Sequence, residues 1–258
     1  MSEVMSTQDG RVLTLTLNRP EARNALNRTL LDALLAELDR AANDPGIGVV
    51  VLTGNGPAFC AGADLKEVAG NMDGDDPFTA AYERTNQSLR VHQLLPRLPV
   101  PVIAAVNGVA VAGGCGLAMS CDIVFAAESA RFGYPEVNRG LVAAMVMVSL
   151  SRVVGRRQAL ELLLSGRLLP AAEALSLGMV NRVVPDESLL ATVQEYAQAM
   201  AAKPATGLRF TKDLYRQVQE MDYDRALEYA RDVNQMIRQT GAARAGATAF
   251  AAGRRETA

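Results

Sequence analysis

Two stretches hold residue types that can do chemistry, "GNGPAFCAGADLKE" at 54–67 and "VAGGCG" at 111–116. Each follows an apolar run and is built largely of glycine and alanine, so the backbone can approach a ligand closely. Each opens toward a helix start, where unpaired N–H groups and the helix dipole favour negative charge. Two such turns can converge on one oxygen and hold the charge that develops there. Neither is G-x-G-x-x-G with a downstream ribose acid, nor G-x-x-x-x-G-K-[ST], which argues against a dinucleotide or P-loop site. Nothing charged lies between Arg97 and Asp122. A reacting group held at the second turn therefore needs an acid or base from elsewhere in the chain.

The elements that position these turns alternate in period. "RVLTLTLNRP" sets Leu13, Leu15 and Leu17 against Thr14 and Thr16, the pattern of a half-buried strand ended by Asn18 and Pro20. "NRTLLDALLAELDRAANDPG" switches to a helical face of Leu30, Leu31, Leu34, Leu35 and Leu38, with Asn27 as N-cap and Gly46 as terminator. "GVVVLTGNG" and "PVIAAVNG" are apolar strands entering the two glycine turns, and "CDIVFAAE" and "GMVNRVV" continue the series. Strands alternating with helices imply an α/β layered core. From about Asp186 the patterns are helical only. The expected organisation is an α/β core over 1–190 followed by a helical region over 191–258, which packs on a neighbouring subunit or covers its own core. "NMDGDDP" at 71–77 is polar and acidic, the composition of a mobile surface loop.

The 258 residues, 49% of them apolar, can bury one full core. With 26 basic and 28 acidic residues the net charge is -2, which offers no general attraction to nucleic acid or to anionic membranes. Neither is expected as a partner. Cysteines at 60, 115 and 121 are odd in number and lack a C-x-x-C pair, so no disulfide framework and no metal site is expected. The N-terminus has no basic-then-apolar run, and the apolar stretch at 140–151 is too short to span a bilayer. A soluble, cytoplasmic protein is the expectation.

"NRPEARNALN", "AFCAGADLKE", "PVIAAVNGVAVAGGCGLAMSCDI", "ARFGYPEV" and "LSGRLLPAAEALSLGMVNRVV" together resemble the crotonase superfamily, the enoyl-CoA hydratase/isomerase family, in order along nearly the whole chain. The resemblance implies a spiral of ββα units, a C-terminal helical trimerisation region, trimers or hexamers, and acyl-CoA thioester substrates. No cofactor is implied beyond the coenzyme A that the substrate carries. Carried over by residue, it implies an oxyanion hole made by the backbone N–H groups of Ala63 and Gly113. It also implies a coenzyme A path along Ala61, Asp64, Leu65 and Lys66, with Lys66 or Arg23 near phosphate. In the tail, Phe250, Arg254 and Arg255 fall where an aromatic and a basic residue face the coenzyme A of a neighbouring subunit.

The family's hydratases place two glutamates about a water. One is present as Glu136 in "GYPEV"; the other falls at position 116, which here is glycine. Glu136 stands among Phe132, Tyr134, Pro135 and Val137, so burial should raise its pKa toward the range useful for proton transfer. One glutamate suffices to shuttle a proton between two carbons. Hydration through the two-glutamate arrangement needs a further group to orient and activate water. A second departure is "NRGLVAAMVMVSLSRVVG" in place of a proline- and glycine-rich run, where Met145 to Val148 line the acyl pocket or fill the core. His92, the only histidine, reads as an ordinary helix residue, and Cys115 as a packing thiol with no base assigned to it. The expected function is acyl-CoA chemistry through a stabilised enolate, with Glu136 as single acid/base. Isomerisation or another one-glutamate reaction stays open beside hydration, as does a non-catalytic acyl-CoA-binding protein. A fold-related peptidase is a weaker alternative, since no Ser–His–Asp spacing or G-x-S-x-G accompanies His92.

Overall fold

A computed structural model describes residues 2–72 and 76–251. The centre of the acidic stretch at 71–77, the Phe250 side chain, Arg254 and Arg255 lie outside what it describes. β1 (Val4–Asp9) hairpins onto β2 (Val12–Leu17), whose Leu13, Leu15 and Leu17 are fully buried, as the alternation requires. β1 itself was not expected, because "VMSTQD" buries only Val4 on an outer edge of the sheet. α1 (Arg28–Asn43) begins where Asn27 accepts a bond from the Leu30 amide at 2.9 Å. It ends three residues before Gly46, which is not its terminator. Asp44 precedes Pro45 and is extended, at φ −91° and ψ 109°, a conformation imposed by the proline ring.

From there the chain winds between two sheets. β3 (Val49–Gly54) enters the large sheet and β4 (Ala58–Cys60) the small one, followed by α2 (Leu65–Met72) and α3 (Pro77–Leu94). β5 (Val102–Val106) and β6 (Val109–Val111) repeat the pair and lead into α4 (Gly113–Met119). β7 (Ile123–Ala127) and β8 (Arg131–Gly133) repeat it again before α5 (Val146–Val153) and α6 (Arg156–Ser165). β9 (Leu168–Pro170), α7 (Ala171–Ser176) and β10 (Arg182–Val184) close the series. The large sheet has the order β1-β2-β3-β5-β7-β10, parallel except for β1; the small one runs β4-β6-β8-β9, parallel except for β9. Two strands per turn of the winding bring the exits of β4 and β6 side by side, and these exits are the two glycine turns.

α8 (Leu189–Ala201), which straddles the 190/191 boundary, buries Leu189, Val193, Ala197 and Ala201 against the large sheet. α9 (Ala205–Val218), α10 (Tyr223–Arg238) and α11 (Gly241–Ala251) follow. Among their described side chains only Val233 is buried, while Tyr215, Tyr223, Leu227 and Met236 are exposed. What ties α9 to the core is an ion pair. Lys212 Nζ lies 2.7 Å from Asp122 and donates to the carbonyls of Leu95 and Val100 at 3.2 and 3.0 Å. Asp122 also accepts the Val102 amide at 2.7 Å. Burial pushes the Asp122 carboxyl up and the Lys212 amine down, so each charge depends on the other. Lys212→Met should therefore cost about 3 kcal/mol or more by stranding the carboxylate, measured as a fall in chemical-denaturation midpoint. The double variant with Asp122→Asn should recover part of that loss.

Candidate active site

The turn after β4 is held by the loop that precedes α1. The Leu26 amide donates to the Gly62 carbonyl at 2.7 Å, the Asp64 amide to the Leu26 carbonyl at 3.1 Å, and the Ala61 amide to the Arg23 carbonyl at 3.0 Å. Leu26 and Ala63 thus form a single parallel bridge. In such a bridge Leu26 bonds the residues flanking Ala63, so the Ala63 N–H points away from the ladder and has no backbone acceptor among the described residues. Asn24, buried and at φ 56°, clamps the loop from behind: its amide donates to the carbonyls of Asn55 and Ala58 at 3.0 and 2.8 Å, and its oxygen accepts the Arg19 amide at 2.8 Å.

The second turn comes against the first. Gly113 is the first residue of α4, so its N–H has no partner within the helix. A Cβ on Gly113 would lie 3.7 Å from the Ala63 nitrogen, and one on Gly62 would lie 3.0 Å from the Gly113 nitrogen. Among the described residues neither amide has a backbone acceptor, so two free donors adjoin, an arrangement that can hold negative charge developing on one oxygen. The Gly113 peptide is turned by Ala112, which sits at φ 51° and ψ −125°, a conformation that alanine rarely adopts. Ala112→Gly should be neutral or stabilising by about 1 kcal/mol, where glycine for alanine ordinarily destabilises. Thermal melts of the two proteins check this.

Glu136 stands beside this turn. The Ala112 amide donates to the Gly133 carbonyl at 2.9 Å, which brings the segment after β8 alongside the start of α4. Tyr134, fully buried, sets its hydroxyl against the Cys115 thiol, and both groups feel the Glu136 charge. Glu136 is half-buried, and its Oε2 is out of contact with water and has no hydrogen-bond partner. Burial pushes its pKa above the ordinary glutamate value against the lowering effects of its own amide and of Arg139. A carboxylate raised in this way takes up and releases protons closer to neutrality. Burial holds the Cys60 and Cys115 thiols up at about 12 and raises Cys121 as well, so all three stay protonated and none is a ready nucleophile.

Of the other residues singled out in the sequence, Asp64 is committed to structure. Its carboxylate pairs with Arg19 at 3.0 Å and accepts the amides of Lys66 and Glu67 at the start of α2. Burial alone would raise its pKa; the Arg19 bond and those amides hold it below the usual range. Ala61 is partly exposed, and Leu65, Lys66 and Arg23 are exposed, with the Arg23 carbonyl bound to the Ala61 amide of the first turn. Gly116 is buried, and the space its side chain would need is taken: a Cβ there would lie 2.3 Å from Val146 Cγ1 and 3.1 Å from His92 Cε1. Val146 fills core, whereas Val148, on the same stretch, is exposed. Arg19, Asn24 and Ala112 were not signalled by residue type or spacing, nor was the contact of Val146 with Gly116.

The family model described as Enoyl-CoA hydratase/isomerase matches residues 7–257. The chain is 39% identical over 251 residues to the 2,3-dehydroadipyl-CoA hydratase of Escherichia coli K12, covering 97% of this chain and 96% of that one. A crystal structure of an enoyl-CoA hydratase from Mycobacterium smegmatis superposes with a TM-score of 0.92 at 37% identity, covering 98% and 97% of the two chains. Human enoyl-CoA hydratase domain-containing protein 3 superposes with a TM-score of 0.93 at 29% identity, over 99% of this chain and all of that one. Among the described residues no helix is long and apolar enough to cross a membrane.

Proposed function

The chain belongs to the enoyl-CoA hydratase/isomerase family, and from that premise we propose that it acts on acyl-CoA thioesters through an enolate. In this reading the thioester oxygen accepts the amides of Ala63 and Gly113, and Glu136 carries a proton to or from the α-carbon. What supports it is the juxtaposition of two unpaired amides with a half-buried carboxyl oxygen that has no partner. As the carbonyl becomes an enolate its oxygen gains charge, and preorganised N–H donors stabilise that charge more than they stabilise the ground state. The raised pKa of Glu136 brings it toward the α-proton it must move.

A single carboxylate completes a double-bond shift, because the group that removes the α-proton can return it farther along the chain. The names of the relatives favour addition of water to a 2-enoyl thioester, and for that the site needs a second polar group. Coenzyme A in this account runs past Ala61, Asp64 and Leu65, with Lys66 and Arg23 on the exposed side toward its phosphates. Asp64 serves by fixing α2 rather than by touching the ligand. The helices from 191 onward, with their exposed apolar residues, form the surface on which copies of the chain assemble into trimers or hexamers. A panel of 2-enoyl-, 3-enoyl- and 3-hydroxyacyl-CoA followed by mass and absorbance tests the assignment, since hydration adds the mass of water and a double-bond shift does not.

A further inference from the structure

His92 lies on α3, and its ring reaches Gly116, one of three glycines on α4. Its Cε1 is 3.1 Å from where a Cβ on Gly116 would be, one helical turn on from Gly113. Its Nδ1 is 3.2 Å from Ser120 Oγ. The Ser120 hydroxyl donates to the Gly116 carbonyl at 2.8 Å and also meets Ser149 Oγ at 3.2 Å. The Gly116 carbonyl can only accept and is the nearest of the three partners, so the hydroxyl proton is assigned to it and Ser120 accepts from His92. Nδ1 then carries the ring proton, and Nε2 keeps its lone pair. Nε2 has no protein partner among the described residues, and the ring is not fully buried.

We infer that His92, through Nε2, is the second proton-handling group of this site and stands in for a carboxylate at position 116. The inference rests on the enolate reading of Glu136, Ala63 and Gly113. α3 carries the ring, Ser120 at the end of α4 holds its Nδ1, and Ser149 of α5 in turn meets Ser120, and a base oriented by a third group is the usual logic of an activated water or hydroxyl. Burial lowers the pKa of its conjugate acid to about 4. The imidazole is therefore unprotonated at neutral pH, and its proton affinity matches that of an ordinary glutamate. In hydration of a 2-enoyl thioester, water oxygen bonds to the β-carbon while Nε2 takes one of its protons. The π electrons pass to the enolate oxygen, and Glu136, protonated, delivers its proton to the α-carbon. The imidazolium proton then returns through solvent to the Glu136 carboxylate. One water is consumed and nothing is oxidised or reduced.

His92→Asn keeps a donor where Nδ1 meets Ser120 and removes the Nε2 lone pair. It should lower hydration of a 2-enoyl-CoA about 100-fold more than it lowers the 3-enoyl to 2-enoyl shift, with KM changed only a few-fold. His92→Gln, whose amide cannot take a proton either, should show the same selective loss of hydration and serves as the readout if the first variant is unstable. Equal effects on the two reactions, or none, overturn the assignment. Wild-type protein that moves the double bond but adds no water overturns it too and leaves the Glu136 reading standing. Protein that does neither overturns both.

Discussion

Replacing Glu136 by glutamine should lower turnover of enoyl-CoA thioesters by about 10³-fold, the usual scale of a positioned acid/base, while binding of the coenzyme A thioester changes little. The amide is nearly isosteric with the carboxyl but can neither take nor give the proton, so the loss belongs in kcat rather than in KM. Stability should move the other way. The folded pKa of Glu136 is raised by burial. Its contribution to stability is thus fully present below the unfolded glutamate pKa and is lost as pH rises through the raised folded value. Glutamine has no such loss. Glu136→Gln should therefore be at least as stable as the parent at pH 7, with its relative advantage shrinking toward pH 4, as read by thermal melts at the two pH values. For the same reason the acidic limb of kcat/KM for the 3-enoyl to 2-enoyl shift, in which Glu136 starts as the base, should fall at a higher pH than an ordinary glutamate would give. A variant that loses activity because it is unfolded would show the opposite stability change.

Ala63→Pro should cost about 10²- to 10³-fold in kcat, the scale measured for removal of one oxyanion donor. Proline deletes the N–H and sets its ring Cδ in the place of that hydrogen. Leu26 bonds to Gly62 and Asp64, not to Ala63, so the bridge keeps both of its hydrogen bonds. The residue ahead is Gly62, at φ 84°, which has no Cβ to collide with the proline ring. Ala63→Gly retains the N–H and should lose far less. The comparison separates the amide from the side chain, and steady-state kinetics with a circular dichroism melt of each protein is sufficient. Comparable rates in all three proteins would show that the Ala63 amide holds no developing charge.

The parts of the architecture set by local period were legible from residue order. Leu13, Leu15 and Leu17 announce β2, the leucine face behind Asn27 announces α1, and the small residues of 60–63 and 112–116 announce two tight turns. The small sheet was not legible, because strands of three residues such as β4, β6 and β8 carry no period. β1 escaped because an edge strand with five exposed residues has no apolar alternation. Within the site, glycine advertises its freedom but alanine does not, so the strained turn at Ala112 leaves no mark in the sequence. Gly116 was visible as a missing carboxylate. What fills its place was not, since Val146 and His92 arrive from α5 and α3, and only tertiary packing brings them to α4.

In the proposed reaction Glu136 moves the α-proton of a thioester whose oxygen rests on two backbone amides. Its most direct measurement is breakage of the α carbon–hydrogen bond of a 3-enoyl-CoA in D₂O, followed by mass spectrometry as deuterium uptake or double-bond shift. The wild-type protein should break that bond and Glu136→Gln should fail to do so while still binding the thioester. An α-proton left untouched by the folded wild-type protein, or removed equally fast by Glu136→Gln, would contradict the account.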